Sequence, residues 1–232
     1  MKKALKAALL FILIALLCSC SSTKVIDAED LTDEDAAYAM EVALSTAVIN
    51  AGRDFLSLTN GSKKFLPDSY LILDAVRQSV PGLSSILDTW HDEFASYIDS
   101  AYDALSESIM DLAGTVVFDD PFTFVNLSDT SASDYFLLLH GEELEKLITD
   151  MVSNAGFSTL EKARIQYNIY LITMDYVNGT SSKTLEAADA EAELSKKLYG
   201  IFTSLLARDE ELFRTTPDPY LDPRVIAVFG NS

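Results

Sequence analysis

Between Leu83 and Gly114 the apolar residues Leu83, Ile86, Leu87, Trp90, Phe94, Tyr97, Ile98, Ala101, Leu105, Ile109 and Leu112 recur every three or four positions. Acidic residues fill the opposite face, so this stretch can bury one side only as a long amphipathic helix. Pro81-Gly82 sits immediately before it and Gly114 after it, giving a start and a stop. A helix of this length needs other helices or a sheet to cover its stripe, and the surrounding sequence offers helices.

Thr32-Asp33-Glu34-Asp35 reads as an N-cap with acids in the first turn, opening a helix through Ala37, Met40, Leu44, Ala47, Ala51, Phe55 and Leu58 to Asn60-Gly61. Pro67-Asp68 opens a shorter one that ends at Pro81-Gly82. Thr115 to Leu127 is an irregular centre around Asp119-Asp120-Pro121, read as a turn and a short helix rather than two strands. Ser131 to Asn154 continues as a helix through Tyr135, Leu138, Leu139, Leu144, Leu147 and Met151, with Gly141 as a place for a kink. Ala155-Gly156 stops it.

Ser158 to Val177 carries two stripes, one with Leu160, Ala163, Tyr167, Tyr170, Leu171 and Met174, the other with Ile165, Ile169, Ile172 and Tyr176. That pattern predicts a central helix with little surface left for water. A last helix is expected from a Thr184 cap through Leu198, Phe202, Leu206 and Phe213, with Pro217, Pro219 and Pro223 ending regular structure. The expected fold is all-α, a single bundle of about six helices over residues 32–232, and no internal repeat is visible by period.

The start of the chain is of another kind. Lys2, Lys3 and Lys6 precede an unbroken apolar run from Ala7 to Leu17, followed by small residues, the layout of a secretory signal peptide. The run is shorter than the roughly 20 residues that span a bilayer. Leu17-Cys18-Ser19-Cys20 resembles the lipobox of bacterial lipoproteins, with an aliphatic residue at minus three and a small one at minus one. Cys20 fits as the lipidated residue; Cys18 would place the bulky Leu17 at the cleavage position. The competing reading is a plain signal peptide cut near Ser19 or Ser21. The expected organisation is therefore a leader over 1–19, a lipidated polar tether over 20–31 and the helical domain. Membrane attachment through lipidated Cys20 would place that domain in the periplasm, at the outer membrane in preference to the inner.

The chain has 232 residues and a formal net charge of −19, but residues 1–19 hold three of its 17 basic and none of its 36 acidic residues. A chain beginning at Cys20 thus carries 14 basic and 36 acidic residues, a net −22. Such a surface is soluble and repels nucleic acid, which needs clustered lysines and arginines to displace counterions. Both cysteines lie in or beside the leader, so the domain must be held by its core without a disulfide.

A family resemblance rests chiefly on Leu198-Tyr199-Gly200-Ile201-Phe202, Arg208-Asp209-Glu210-Glu211-Leu212-Phe213-Arg214-Thr215-Thr216-Pro217 and the terminal Val228-Phe229-Gly230. Leu66-Pro67, Gly82-Leu83 and Ala132-Ser133-Asp134-Tyr135-Phe136 add to it. Together they resemble the exported bacterial family catalogued as domain of unknown function 4197, over about residues 40 to 230. The chain departs from that pattern at Ala95-Ser96-Tyr97-Ile98-Asp99 and at Leu127-Ser128. The resemblance implies an all-helical envelope domain and no particular chemistry.

Chemical motifs are sparse. Trp90-His91-Asp92-Glu93 and His140-Gly141-Glu142-Glu143 lack the spacing that puts two metal ligands on one helical face, and no nucleophile elbow, phosphate loop or dinucleotide fingerprint occurs. Neither a metal nor a cofactor is expected. Arg214 stands four residues after Glu210 and three after Glu211, which reads as a surface pair. The sharper alternative is a buried tie to Asp120 near Ser133 and Tyr135. Two functions fit: a non-catalytic domain binding an envelope protein or apolar molecule, favoured here, and a periplasmic hydrolase using Asp119, Asp120 or the His140 to Glu143 cluster.

Overall fold

The first long helix, α1 (Asp33–Gly61), begins with a reciprocal cap. Thr32 Oγ1 accepts from the Asp35 amide at 3.2 Å while the Asp35 carboxylate accepts from the Thr32 amide at 3.1 Å. The Thr32 hydroxyl, donating at 2.7 Å, and then the Thr32 amide hold the Asp35 carboxyl below its ordinary value. The computed structural model describes residues 30–61, 65–216 and 222–230. The expected signal peptide, Cys20 and most of the tether lie outside the described residues.

After α1 come a 3-10 turn (Asp68–Tyr70), α2 (Leu71–Val76), α3 (Leu83–Ala113), α4 (Pro121–Leu127), α5 (Ser131–Ser153), α6 (Ser158–Asn178), α7 (Ala190–Thr215) and α8 (Pro223–Phe229). All regular structure among the described residues is helical, as the periodicity implies. The described residues form eight α-helices instead of about six. The short helix expected in the irregular centre is α4, the unexpected one is α8, and each has a local cause. Asp120 caps α4 by accepting from the Thr123 amide at 3.4 Å, and also accepts from the Thr123 hydroxyl at 2.8 Å, with Pro121 at the first helical position. Asp222 caps α8 in the same way, accepting from the Arg224 amide at 2.9 Å. Pro223 therefore starts a helix where the sequence suggested an end, because its fixed φ and missing N–H suit position N1.

α1 is the central element, touching α3, α4, α5, α7 and α8. Ala36, Ala39, Ala43, Ala47 and Ala51 are fully buried along it, and their small side chains let several helices approach one axis. Gly52 extends this close contact towards α3, where an added Cβ would fall 1.9 Å from the Tyr102 hydroxyl oxygen. α3 starts at Gly82, whose φ of 79° lies in the left-handed region that favours glycine. Trp90 anchors its buried face, donating to the Phe65 carbonyl at 3.3 Å and stacking on Phe94 with centroids 5.2 Å apart.

α5 runs unbroken through Gly141, and glycine there leaves room for the Tyr199 hydroxyl, which would lie 3.3 Å from an added Cβ. α6 is peripheral, correcting the expectation of a central helix: it leans on α3 and α2, and only Thr159, Leu160 and Ala163 of its residues are buried. The chain after it also departs from expectation. Residues 180–189 are an irregular strap, and α7 begins at an Asp189 cap that accepts from the Ala192 amide at 3.0 Å, not at Thr184. The strap's backbone is satisfied laterally: Leu185 receives Asn168 and Arg164, each at 2.8 Å, on its carbonyl and donates its amide to Asn168 at 2.8 Å. With those bonds made, the segment need not become helical to satisfy its polar groups.

Candidate interaction surface

The polar cluster expected around Arg214 is buried, with a different partner. Arg214 and Glu210 are 3% and 0% exposed and pair at 3.1 Å, one turn apart on α7. Glu210 faces the start of α5, whose Thr130 N-cap makes no side-chain cap bond. Its carboxylate accepts instead from the Ala132 amide at 3.0 Å and the Ser133 amide at 2.6 Å. A carboxylate on one helix thus caps another, where free amides and the helix dipole favour a negative charge. Arg214 offsets that charge, donating to Ser131 Oγ at 2.9 Å, to the Val125 carbonyl at 2.5 Å and to the Ser128 carbonyl. Its guanidinium lies 5.0 Å from the centroid of Phe229.

Asp120 does not take part: its carboxylate is committed to Thr123 and exposed to solvent. Ser133 takes part through its amide, and its hydroxyl donates to the Leu206 carbonyl at 3.4 Å. Tyr135 packs against Phe124 and Phe118, with centroids 4.8 and 5.9 Å away. The Glu210–Arg214 spacing was visible in the sequence, but nothing local could show that its target lay in the first turn of α5. This assembly ties α4, α5, α7 and α8 together; Arg214 Nε is buried in it without a hydrogen-bond partner, while the other guanidinium nitrogens are bonded.

Of the residues considered for hydrolysis, His140, Glu143 and Asp120 have partners of their own. His140 Nδ1 lies 2.7 Å from Glu143 Oε2, and its Nε2 lies 3.0 Å from Thr115 Oγ1. Asp119 and Asp120 are exposed at the start of α4. Among the described residues no three His, Cys, Asp or Glu side chains gather as they would around a metal ion. No described helix is long and apolar enough to cross a membrane.

The surface that stands out is on α6. Ile165, Ile169, Ile172 and Tyr176 form one face and are 45%, 55%, 60% and 91% exposed. Met174 and Val177 add exposed apolar surface near the helix end. No charged residue occurs from Ile165 to Met174, in a chain of net charge −19. The helix keeps its shape without burying that face. Glu161 and Arg164 pair at 2.5 Å, Asp175 accepts from the Thr180 hydroxyl at 2.6 Å and the Ser182 amide at 2.6 Å, and Gly179 closes it with a φ of 67°. The bonds to Asp175 hold its carboxyl below the ordinary value. A groove of about 450 Å³ opens between the strap and α2, lined by Ser69, Ile72, Tyr167, Lys183, Leu185 and Glu186.

No protein-family model matches this chain, nor does any curated protein or solved structure. The resemblance drawn from the tail and the Tyr-Phe segment therefore rests on those residues alone.

Proposed function

We propose that this chain is a lipid-anchored protein of the bacterial envelope, tethered through Cys20, whose helical domain works as a non-catalytic binding module on the periplasmic side of the outer membrane. The observation that carries the binding reading is the uncovered apolar face of α6. Burying an isoleucine side chain fully contributes about 1.5–3 kcal/mol, so leaving Ile165, Ile169 and Ile172 half exposed forgoes several kcal/mol that a purely structural helix would use. A contiguous apolar patch on a strongly acidic surface is what a contact site requires, whereas scattered exposed leucines such as Leu138 need no explanation. The leader, the lipobox and the similarity to exported proteins of unknown function support the location. The net charge of −22 from Cys20 onward disfavours nucleic acid as partner.

A photoreactive amino acid placed at Ile172 in the full chain tests this reading. Irradiation of intact cells should give a specific adduct there and none from the same probe at Leu138, which is 78% exposed on α5. Equal or absent adducts at both positions would remove α6 as the binding surface.

A further inference from the structure

Ile165, Ile169, Ile172 and Tyr176 are separated by four, three and four residues. That alternation is the seam of a heptad pattern, whose side chains insert between those of a second helix. The order of spacings is also the same from either end. Turning one α6 end for end lays its Ile169 beside Ile172 of another α6 and its Ile165 beside Tyr176, about a midpoint between Tyr170 and Leu171. An isologous two-fold contact demands this self-complementarity, whereas an unrelated partner does not.

Charge and area point the same way. Two acidic chains repel over most of their surface, but between Ile165 and Tyr176 the one charged residue is Asp175, whose carboxylate is bound to Thr180 and Ser182, and Gln166 and Thr173 also flank the seam. From the exposed fractions of the four seam residues, pairing would cover roughly 500 Å² on each copy, or about 1,000 Å² in total, at the lower edge of specific interfaces. Such a contact is weak between freely diffusing chains and gains from the raised local concentration of tethered ones. The helix is already formed in the single chain, so pairing need not supply its nucleation.

We infer that α6 docks antiparallel against α6 of a second copy of this chain, an inference that rests on α6 being the binding surface proposed above. The described domain has no cysteine, since Cys18 and Cys20 precede it, so introduced thiols report on the seam. Two differently tagged full-length chains are co-expressed, one carrying Ile165→Cys and the other Tyr176→Cys, and intact cells are oxidised with unsubstituted chains alongside. Antiparallel pairing puts these two positions opposite each other, and two copies of Ile165→Cys ~16 Å apart along the axis at 1.5 Å per residue.

The expected result is a disulfide-linked species joining both tags at twice the chain mass, ~10-fold more abundant than any Ile165→Cys self-product. It should fall ~10-fold when Ile169→Glu and Ile172→Glu are added, because a carboxylate in the seam has no partner. A self-product as strong as the mixed one overturns the antiparallel pairing. If no doubled-mass species forms but Tyr176→Cys is shielded from a maleimide in cells and reactive in the purified chain, another occupant covers α6. That overturns the second copy while leaving the binding reading intact. No product together with full reactivity in cells overturns both.

Discussion

Replacing Arg214 with alanine removes a buried guanidinium that faces Glu210 at 3.1 Å and donates to Ser131 Oγ at 2.9 Å and the Val125 carbonyl at 2.5 Å. Glu210 stays fully buried, held only by the Ala132 and Ser133 amides. Removing one member of a buried pair costs roughly 3–5 kcal/mol, because the remaining charge has lost its counter-charge. At about 2–4 °C per kcal/mol for a domain of this size, the midpoint of thermal unfolding should fall by roughly 6–20 °C. Pairing Arg214→Ala with Glu210→Gln should cost clearly less than the two losses added, since the second change removes the stranded charge. Urea melts followed by helical circular dichroism read all three variants, and an Arg214→Ala loss under about 1 kcal/mol, additive with Glu210→Gln, would refute the reasoning.

The same pair sets a pH dependence. Burial pushes the Glu210 carboxyl above its ordinary value of 4.5, against the hydrogen bonds from Ser133 and Ala132 and the charge of Arg214. A group raised in the folded state contributes stability that is complete below its unfolded value and is lost as pH rises through the folded one. Without Arg214 the folded value rises further. The Arg214→Ala loss should therefore be smallest near about pH 4 and grow towards about pH 8; a loss that shrinks with rising pH would reverse the sign.

Asp120→Ala should cost about 0.5–2 kcal/mol as a lost helix cap, additively with Arg214→Ala because the two share no hydrogen bond; double-mutant urea melts check this. Gly52→Ala puts a methyl 1.9 Å from the Tyr102 hydroxyl oxygen. It should destabilise by about 1–3 kcal/mol even though alanine is the better helix former by ~1 kcal/mol. Adding Tyr102→Phe, which deletes that oxygen, should recover most of the loss in the same melts.

The long helices were legible because their ends carry local chemistry: Thr32 and Asp35 cap one another at α1, and Gly82 turns the chain into α3. The misread boundaries were decided by distant groups. Thr184 looks like a cap, yet Asn168 and Arg164 satisfy the strap around Leu185 and delay α7 to Asp189. Arg214 shows the same limit. Its i,i+4 acid was readable, but the amides that make Glu210 a cap lie 77 and 78 residues earlier, and Asp120, the partner suggested by proximity to the irregular centre, serves its own helix. On α6 the second stripe was correctly seen as apolar and wrongly taken as buried. Periodicity registers an apolar face equally whether a core or another molecule covers it.

Metabolic labelling with palmitate tests the proposed tether through Cys20 most directly. The full chain and its Cys18→Ala variant should incorporate the label equally and fractionate with membranes. Cys20→Ala should abolish labelling and leave the chain either unprocessed or released from membranes. Labelling that survives Cys20→Ala and disappears with Cys18→Ala would contradict the assignment, and a wild-type chain that takes up no label would contradict the tether itself.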